Sequence, residues 1–324
     1  MKAVVVHELT GPDGVIVADV PEPDAGDNVL VEVHAAGISY PDVMMSRGTY
    51  QFKPPLPFTL GIEAAGVVRS APDGCGLRPG DRVACFGPGA CAEQMVAPVA
   101  TTFPLPAALD FPQGAALIMN YHTAHFALAR RAGLRAGETV LVLGAAGGVG
   151  TAALQVARGL GARTIAAVSS EAKEKAAYSA GADEVVRTDA DWSAALTTLT
   201  NGAGVDVIVD PVGGSDDQLR EHLRCLAVEG RLVVIGFASG AIPTIGLNRL
   251  LFRNVTVVGA AWGAFALARP EYLREVAADL DRMVGAGQVR PLVGTSYPMS
   301  GVADALRDIE QRRAVGKLVM EGRS

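Results

Sequence analysis

Seven residues, Gly144-Ala145-Ala146-Gly147-Gly148-Val149-Gly150, constrain this chain more than any others. They follow a continuous apolar run, Thr139–Leu143. They open a stretch in which Val149, Ala152, Ala153, Val156, Ala157 and Leu160 recur at helical spacing. A glycine-rich turn from strand to helix lets the backbone bend tightly and approach a pyrophosphate. The helix N-terminus then offers N–H groups and a partial positive charge. We read a dinucleotide site at Gly144, Ala146, Gly147, Gly148 and Val149; a glycine-rich turn without a ligand is the other reading.

The surrounding pattern fits. Strand-like runs recur at Thr164–Val168, Glu184–Arg187, Val205–Val209, Arg231–Ile235 and Val255–Gly259. Helix-like stretches separate them at Glu171–Ala180, Trp192–Leu199 and Asp217–Ala227. Apolar strands alternating with helices predict a parallel sheet covered on both faces, an α/β architecture. Before residue 123 the texture differs. Short β-like runs at Met1–His7, Val15–Val20, Val29–Ala35, Ala64–Ser70 and Arg82–Phe86 are broken by Pro and Gly, which predicts a small antiparallel β domain. Helical segments at Pro270–Val284 and Gly301–Gln311 and a strand at Gly316–Met320 are expected to return to that first domain.

The 324 residues suit two domains, and 49% hydrophobic with 19% charged residues suits a real core. No apolar run reaches the ~18–20 residues that span a bilayer, and the start is too short for a signal-peptide core. A net charge of −6 gives no reason to expect a nucleic-acid or anionic-membrane partner. Cys75, Cys85, Cys91 and Cys225 contain no C-x-x-C pair. Free thiols in a reducing, cytoplasmic setting are the preferred reading over disulfides.

The end of the second strand of the βαβ unit decides which dinucleotide fits. An NAD site places an acid there for the ribose hydroxyls. Here Val168 is followed by Ser169, Ser170, Glu171 and, one turn on, Lys173, while Arg187 ends the next strand. Two hydroxyls and cations suit a 2′-phosphate, hence NADPH. Glu171 opposes this if it points inward, and Ser170 could instead be a helix cap.

Several motifs carry a resemblance. Leu60-Gly61-Ile62-Glu63-Ala64-Ala65-Gly66-Val67-Val68, Gly80-Asp81-Arg82-Val83, the glycine motif above, Asn120-Tyr121-His122-Thr123-Ala124, Asp210-Pro211-Val212-Gly213-Gly214 and Asn248-Arg249-Leu250-Leu251 resemble the medium-chain dehydrogenase/reductase superfamily. Within it, the chain is similar to the zinc-free quinone oxidoreductase branch. The resemblance implies a GroES-like catalytic domain (1–122 and 266–324), a Rossmann domain with a doubly wound parallel sheet (123–265), and an active site in the cleft between them. It also implies a homodimer, in which the apolar edge strand Asn254–Ala260 pairs across a two-fold axis.

Zinc-dependent relatives place a Cys ligand where this chain has Ser39, and a His where it has Ile62. A serine is a poor zinc ligand and an isoleucine none, so no metal is expected. His122 and His125 stand at i, i+3, a spacing that can chelate but more often is structural.

Without a Lewis acid, hydride must go to an acceptor already electron-poor, such as a quinone or an α,β-unsaturated carbonyl. The resemblance implies Tyr50 as hydrogen-bond or proton donor, with Tyr40 lining the pocket; for each tyrosine the alternative is packing at a domain interface. Asn120, Tyr121, Thr123, Pro211, Gly236, Phe237 and Asn248 are expected around the nicotinamide, and Asp42 and Glu63 are expected to hold loop backbone or a cation. The expected function is an NADPH-dependent, zinc-independent quinone reductase. A reductase of enones or enoyl thioesters and a non-catalytic NADPH-binding protein are the alternatives.

Overall fold

The computed structural model describes residues 1–322, and two compact units account for them. The first comprises Met1–Met119, Pro270–Gly285 and the chain from Arg290 on; the second comprises Asn120–Arg269 and Ala286–Val289.

The first unit begins with eight strands: β1 Lys2–Val6, β2 Val15–Asp19, β3 Val29–Ile38, β4 Phe58–Thr59, β5 Glu63–Ser70, β6 Arg82–Phe86, β7 Gln94–Ala97 and β8 Thr102–Pro104. In β3 the period of two is visible, with Val29, Val31 and Val33 buried between half-buried Leu30, Glu32 and His34. Antiparallel pairing of β3 with β5 and β7, and of β5 with β6, encloses these valines with Val68, Val83, Cys85 and Met95 in one core. The short β4, β7 and β8 lie below the length at which alternation can be read. The helix Tyr40–Ser46 was also outside the expected pattern. Its start is written locally: Ser39 precedes it, Pro41 stands in its first turn, and Asp42 reaches back to the Ser39 N–H.

The second unit holds six parallel strands: β9 Thr139–Leu143, β10 Arg163–Val168, β11 Glu184–Arg187, β12 Val205–Asp210, β13 Leu226–Val234 and β14 Thr256–Gly259. Their order is β11-β10-β9-β12-β13-β14. The crossovers reverse direction between β9 and β12, the place where such sheets bind ligands outside their carboxyl ends. Register aligns those ends: Leu143 lies beside Ala167, Val168 beside Arg187, and Asp210 beside Val234. β13 starts earlier than its apolar run suggested, so Leu226 and Ala227 are strand rather than helix. Pairing of Val205 with Leu226, across an irregularity before Val207, outweighs the helical spacing.

Residues 118–132 form a wide-turned helical segment, closed by Gly133 in the left-handed conformation (φ 59°). The chain returns to the first unit as β15 Val293–Tyr297 and β16 Lys317–Glu321. β16 pairs antiparallel with β3, so that Leu318 faces Ile38. No helix among the described residues is long and apolar enough to cross a membrane.

Candidate dinucleotide and acceptor sites

The glycine turn leaves β9 at Gly144, whose φ of +58° favours glycine. Gly147 precedes the helix Gly148–Gly159 in extended conformation, and no side chain caps that helix. A Cβ added at Gly148 would lie 2.5 Å from Asn120 Nδ2, and one at Gly150 only 2.3 Å from the Gly144 carbonyl oxygen. Gly150 therefore lets the helix pack on the turn, while Gly148 lets the buried Asn120 carboxamide rest against the backbone. Helix amides without side-chain caps on a backbone bare of Cβ atoms suit a pyrophosphate.

Asn120 and Thr123 are both buried in the second unit. Tyr121 is 1% exposed, and its hydroxyl donates to Gln155 Oε1 at 2.9 Å on the helix Gly148–Gly159. His122 and His125 are buried too. Burial, reinforced by His125, holds His122 down at about 3, a neutral ring set edge-on to Trp262.

Beyond β10, the two serines divide their work. Ser170 Oγ accepts the Lys173 N–H and caps the helix Glu171–Ser179. Ser169 Oγ accepts from Lys173 Nζ at 3.2 Å. Glu171 pairs along its helix with Lys175 at 2.9 Å, both exposed, and so does not enter this cluster. Arg187 is held by two carboxylates, Asp189 at 2.7 Å and Glu174 at 3.5 Å. The structure thus brings a hydroxyl and an ammonium together beside the glycine turn and gives Arg187 acidic partners.

At the ends of β12 and β13 two loops are strapped together. Asp210 Oδ1 accepts the N–H groups of Val212 and Gly213, the Pro211 carbonyl accepts from Ala238, and the Val212 carbonyl from Ser239. Burial raises the Asp210 carboxyl, opposed by those two amides. A Cβ at Gly213 would meet the Phe237 ring at 2.8 Å, so Pro211, Gly236 and Phe237 form one rim. A Cβ at Gly144 would meet Val212 at 2.9 Å, which joins that rim to the glycine turn. Asn248 opens the short helix Asn248–Leu251, flanked by exposed Leu247 and Leu251, its Oδ1 close to Gly246.

In the first unit, Ser39 donates twice to Asp42 Oδ2, from its N–H at 2.8 Å and its hydroxyl at 2.9 Å. Glu63 accepts from Lys317 Nζ and from the Met119 N–H. Both acids have the backbone or cationic partners expected of them. Lys317 escaped the sequence reading, although a lysine opening an apolar strand was its signal. Tyr40 and Tyr50 are half-buried, and Tyr50 packs on the core edge. Burial, then the charge of Asp42, raises the Tyr50 phenol. The zinc ligand positions do not fit a metal. The Ser39 hydroxyl is engaged by Asp42, Ile62 has no donor atom, and among the described residues no three His, Cys, Asp or Glu cluster to hold one.

Comparisons with known proteins agree with this geometry. Residues 25–107 match the alcohol dehydrogenase GroES-like domain, and residues 148–281 match the family described as zinc-binding dehydrogenase. Quinone oxidoreductase-like protein 2 of Bos taurus is 35% identical, covering 98% of this chain and 92% of its own. Quinone oxidoreductase of Rattus norvegicus is 35% identical over 99% and 97%. A probable oxidoreductase from Mycobacterium abscessus superposes with a TM-score of 0.91 at 46% identity, covering 99% of this chain and 98% of that one. A mycobacterial structure described as complexed with NADPH gives 0.89 at 31%, over 99% of both.

Proposed function

The chain is an oxidoreductase of the medium-chain dehydrogenase/reductase superfamily, in its quinone oxidoreductase branch, and from that premise we propose an NADPH-dependent, zinc-independent reductase of quinones. The observation that carries the cofactor choice is the Lys173–Ser169 contact beside the glycine turn. An ammonium and a hydroxyl stabilise a 2′-phosphate, where a ribose diol would ask for an acid. The mycobacterial relative described with NADPH supports the same choice.

NADPH, when bound, supplies hydride. Gly144, Ala146, Gly147, Gly148 and Val149 would hold its pyrophosphate, and Asn120, Thr123, Pro211, Gly236 and Phe237 would border its nicotinamide. Ser170 would contribute from its place at the cap, whereas Arg187 and Asn248 stand as weaker members of the set. With no donor set for zinc, this chain's residues orient the acceptor, exclude water and stabilise the oxyanion that forms. Tyr50 is the donor we assign there, with Tyr40 lining the pocket. The acceptor must then be electron-poor on its own account, as a quinone is. An enoyl thioester with a CoA tail would need cations near Tyr50 for its phosphates. Arg47, which with Lys53 flanks Tyr50 in the sequence, is held by Glu310 at 2.5 Å, which favours the quinone.

The same reading places the protein in the cytoplasm as a homodimer. Four free cysteines fit a reducing compartment. Purified, chelator-treated protein given a small ortho-quinone should consume NADPH faster than NADH. Preference for NADH would refute the 2′-phosphate site, and chelator-sensitive turnover would refute zinc independence.

A further inference from the structure

Beneath Ser39 lies a carboxylate that the reaction above does not use. Asp42 is fully buried; its Oδ2 takes both Ser39 donors, and its Oδ1 has no hydrogen-bond partner. A buried carboxylate keeps its charge only beside a cation or several donors. The cation whose field reaches it is Lys317 on β16, and Lys317 is hydrogen-bonded to Glu63 on β5, itself fully buried. Two buried carboxylates thus share one ammonium, and the contact belongs to Glu63. Asp42 is the one left to bind a proton.

The other groups around it do not change this balance. Tyr50 and Cys91 both feel the Asp42 charge, and burial raises both, so they stay neutral near pH 7. The helix Val302–Glu310 and the turn Gly11–Gly14 also pack on the 40–46 helix. Their Asp13, Asp304, Arg307 and Glu310 pair with one another and with Arg47. Burial, opposed by Lys317 and by the Ser39 hydrogen bonds, raises the Asp42 carboxyl to about 6.

We propose that Ser39 and Asp42 form a two-link proton relay for the reduction, with Ser39 the hydroxyl that touches the acceptor and Asp42 its buried reservoir. The inference rests on the reductase reading. Hydride adds two electrons and one hydrogen to the quinone and leaves a hydroquinone anion. The Ser39 O–H bond breaks toward that oxygen as the Asp42 O–H bond breaks toward Ser39 Oγ. Asp42 is left as a carboxylate and regains its proton from solvent. A hydroxyl both donates and accepts, so the 2.9 Å contact serves either direction. Tyr50 would then orient the acceptor oxygen while the relay supplies the proton.

Infrared spectroscopy of the protein without cofactor, beside steady-state kinetics, tests this. A protonated-carboxyl C=O band should be present near pH 5, fade as pH rises through about 6, and be missing in Asp42→Asn. Ser39→Ala should lower kcat with the quinone at least about tenfold, with KM for NADPH held within about twofold, in line with general acid catalysis. Ser39→Thr, which keeps a hydroxyl, should recover most of that loss, and Asp42→Asn should erase the fall of kcat above about pH 6. No such band in the wild type, or an unchanged kcat in Ser39→Ala, overturns the relay alone. Absence of any quinone turnover in the wild type overturns the reductase reading and the relay with it.

Discussion

Lys173 Nζ lies 3.2 Å from the Ser169 hydroxyl, across the first turn of the helix that follows β10. That contact converts the end of a strand into a selective position. A charge-assisted hydrogen bond to phosphate is worth roughly 1.5–3 kcal/mol, about ten- to a hundredfold in affinity. Lys173→Ala should therefore raise KM for NADPH at least about tenfold and leave KM for NADH nearly unmoved. Steady-state titration with both nucleotides checks it, and an equal loss for both would deny Lys173 its role.

The glycine turn separates binding from folding. At Gly150 an added Cβ meets backbone, the Gly144 carbonyl at 2.3 Å, which cannot step aside. At Gly148 it meets the end of the Asn120 side chain, which can. Gly150→Ala should lower Tm by several degrees. Gly148→Ala should cost less stability yet weaken dinucleotide binding at least about tenfold. Thermal melts and fluorescence titration of NADPH separate the two.

Asp42 makes stability depend on pH with a definite sign. Its folded pKa, about 6, lies above the ordinary aspartate value of 3.8, so the folded state binds more protons between those values. Stability is therefore lost as pH rises from about 4 to about 6, by on the order of 3 kcal/mol from this group. Denaturant unfolding across that range should show a wild-type slope that Asp42→Asn removes, whatever its effect on absolute stability.

The buried pair Lys317–Glu63 should behave as a unit. Removing one partner strands the other charge with relative exposures of 3% and 0%. Lys317→Met or Glu63→Gln alone should destabilise by roughly 3–5 kcal/mol. In the double variant the two losses should be far from additive, which a double-mutant cycle measures.

β14 is a sheet edge, and beside it Leu247, Leu251 and Phe252 are 78%, 69% and 81% exposed. Exposed apolar side chains next to an open edge call for a cover, which the homodimer would provide. Val257→Lys together with Phe252→Glu should give a monomeric mass in light scattering with NADPH binding retained. A wild-type monomer at micromolar concentration would refute the dimer.

The parallel sheet was legible because its central strand Thr139–Leu143 is an apolar run, its other strands carry apolar stretches, and helical spacing recurs between them. Thr139–Leu143, Glu184–Arg187 and Trp192–Leu199 coincide with their elements end to end. The first unit was less legible: strands of two to four residues hold through their neighbours, and the 118–132 helix carries apolar residues on all sides, which masks its period.

Local chemistry determined the glycine turn, the serines and lysine after β10, and the absence of donor atoms at Ile62, since each depends on residues adjacent in the chain. Tertiary structure decided which charges are available. Arg187 meets Asp189 and Glu174, Glu171 turns to Lys175, and Tyr121 enters the core on Gln155. It also set Lys317 against Glu63, 254 positions apart, and so left Asp42 only the field of that shared ammonium. A side chain's protonation and availability follow from what packs around it, and that depends on contacts closed by the fold.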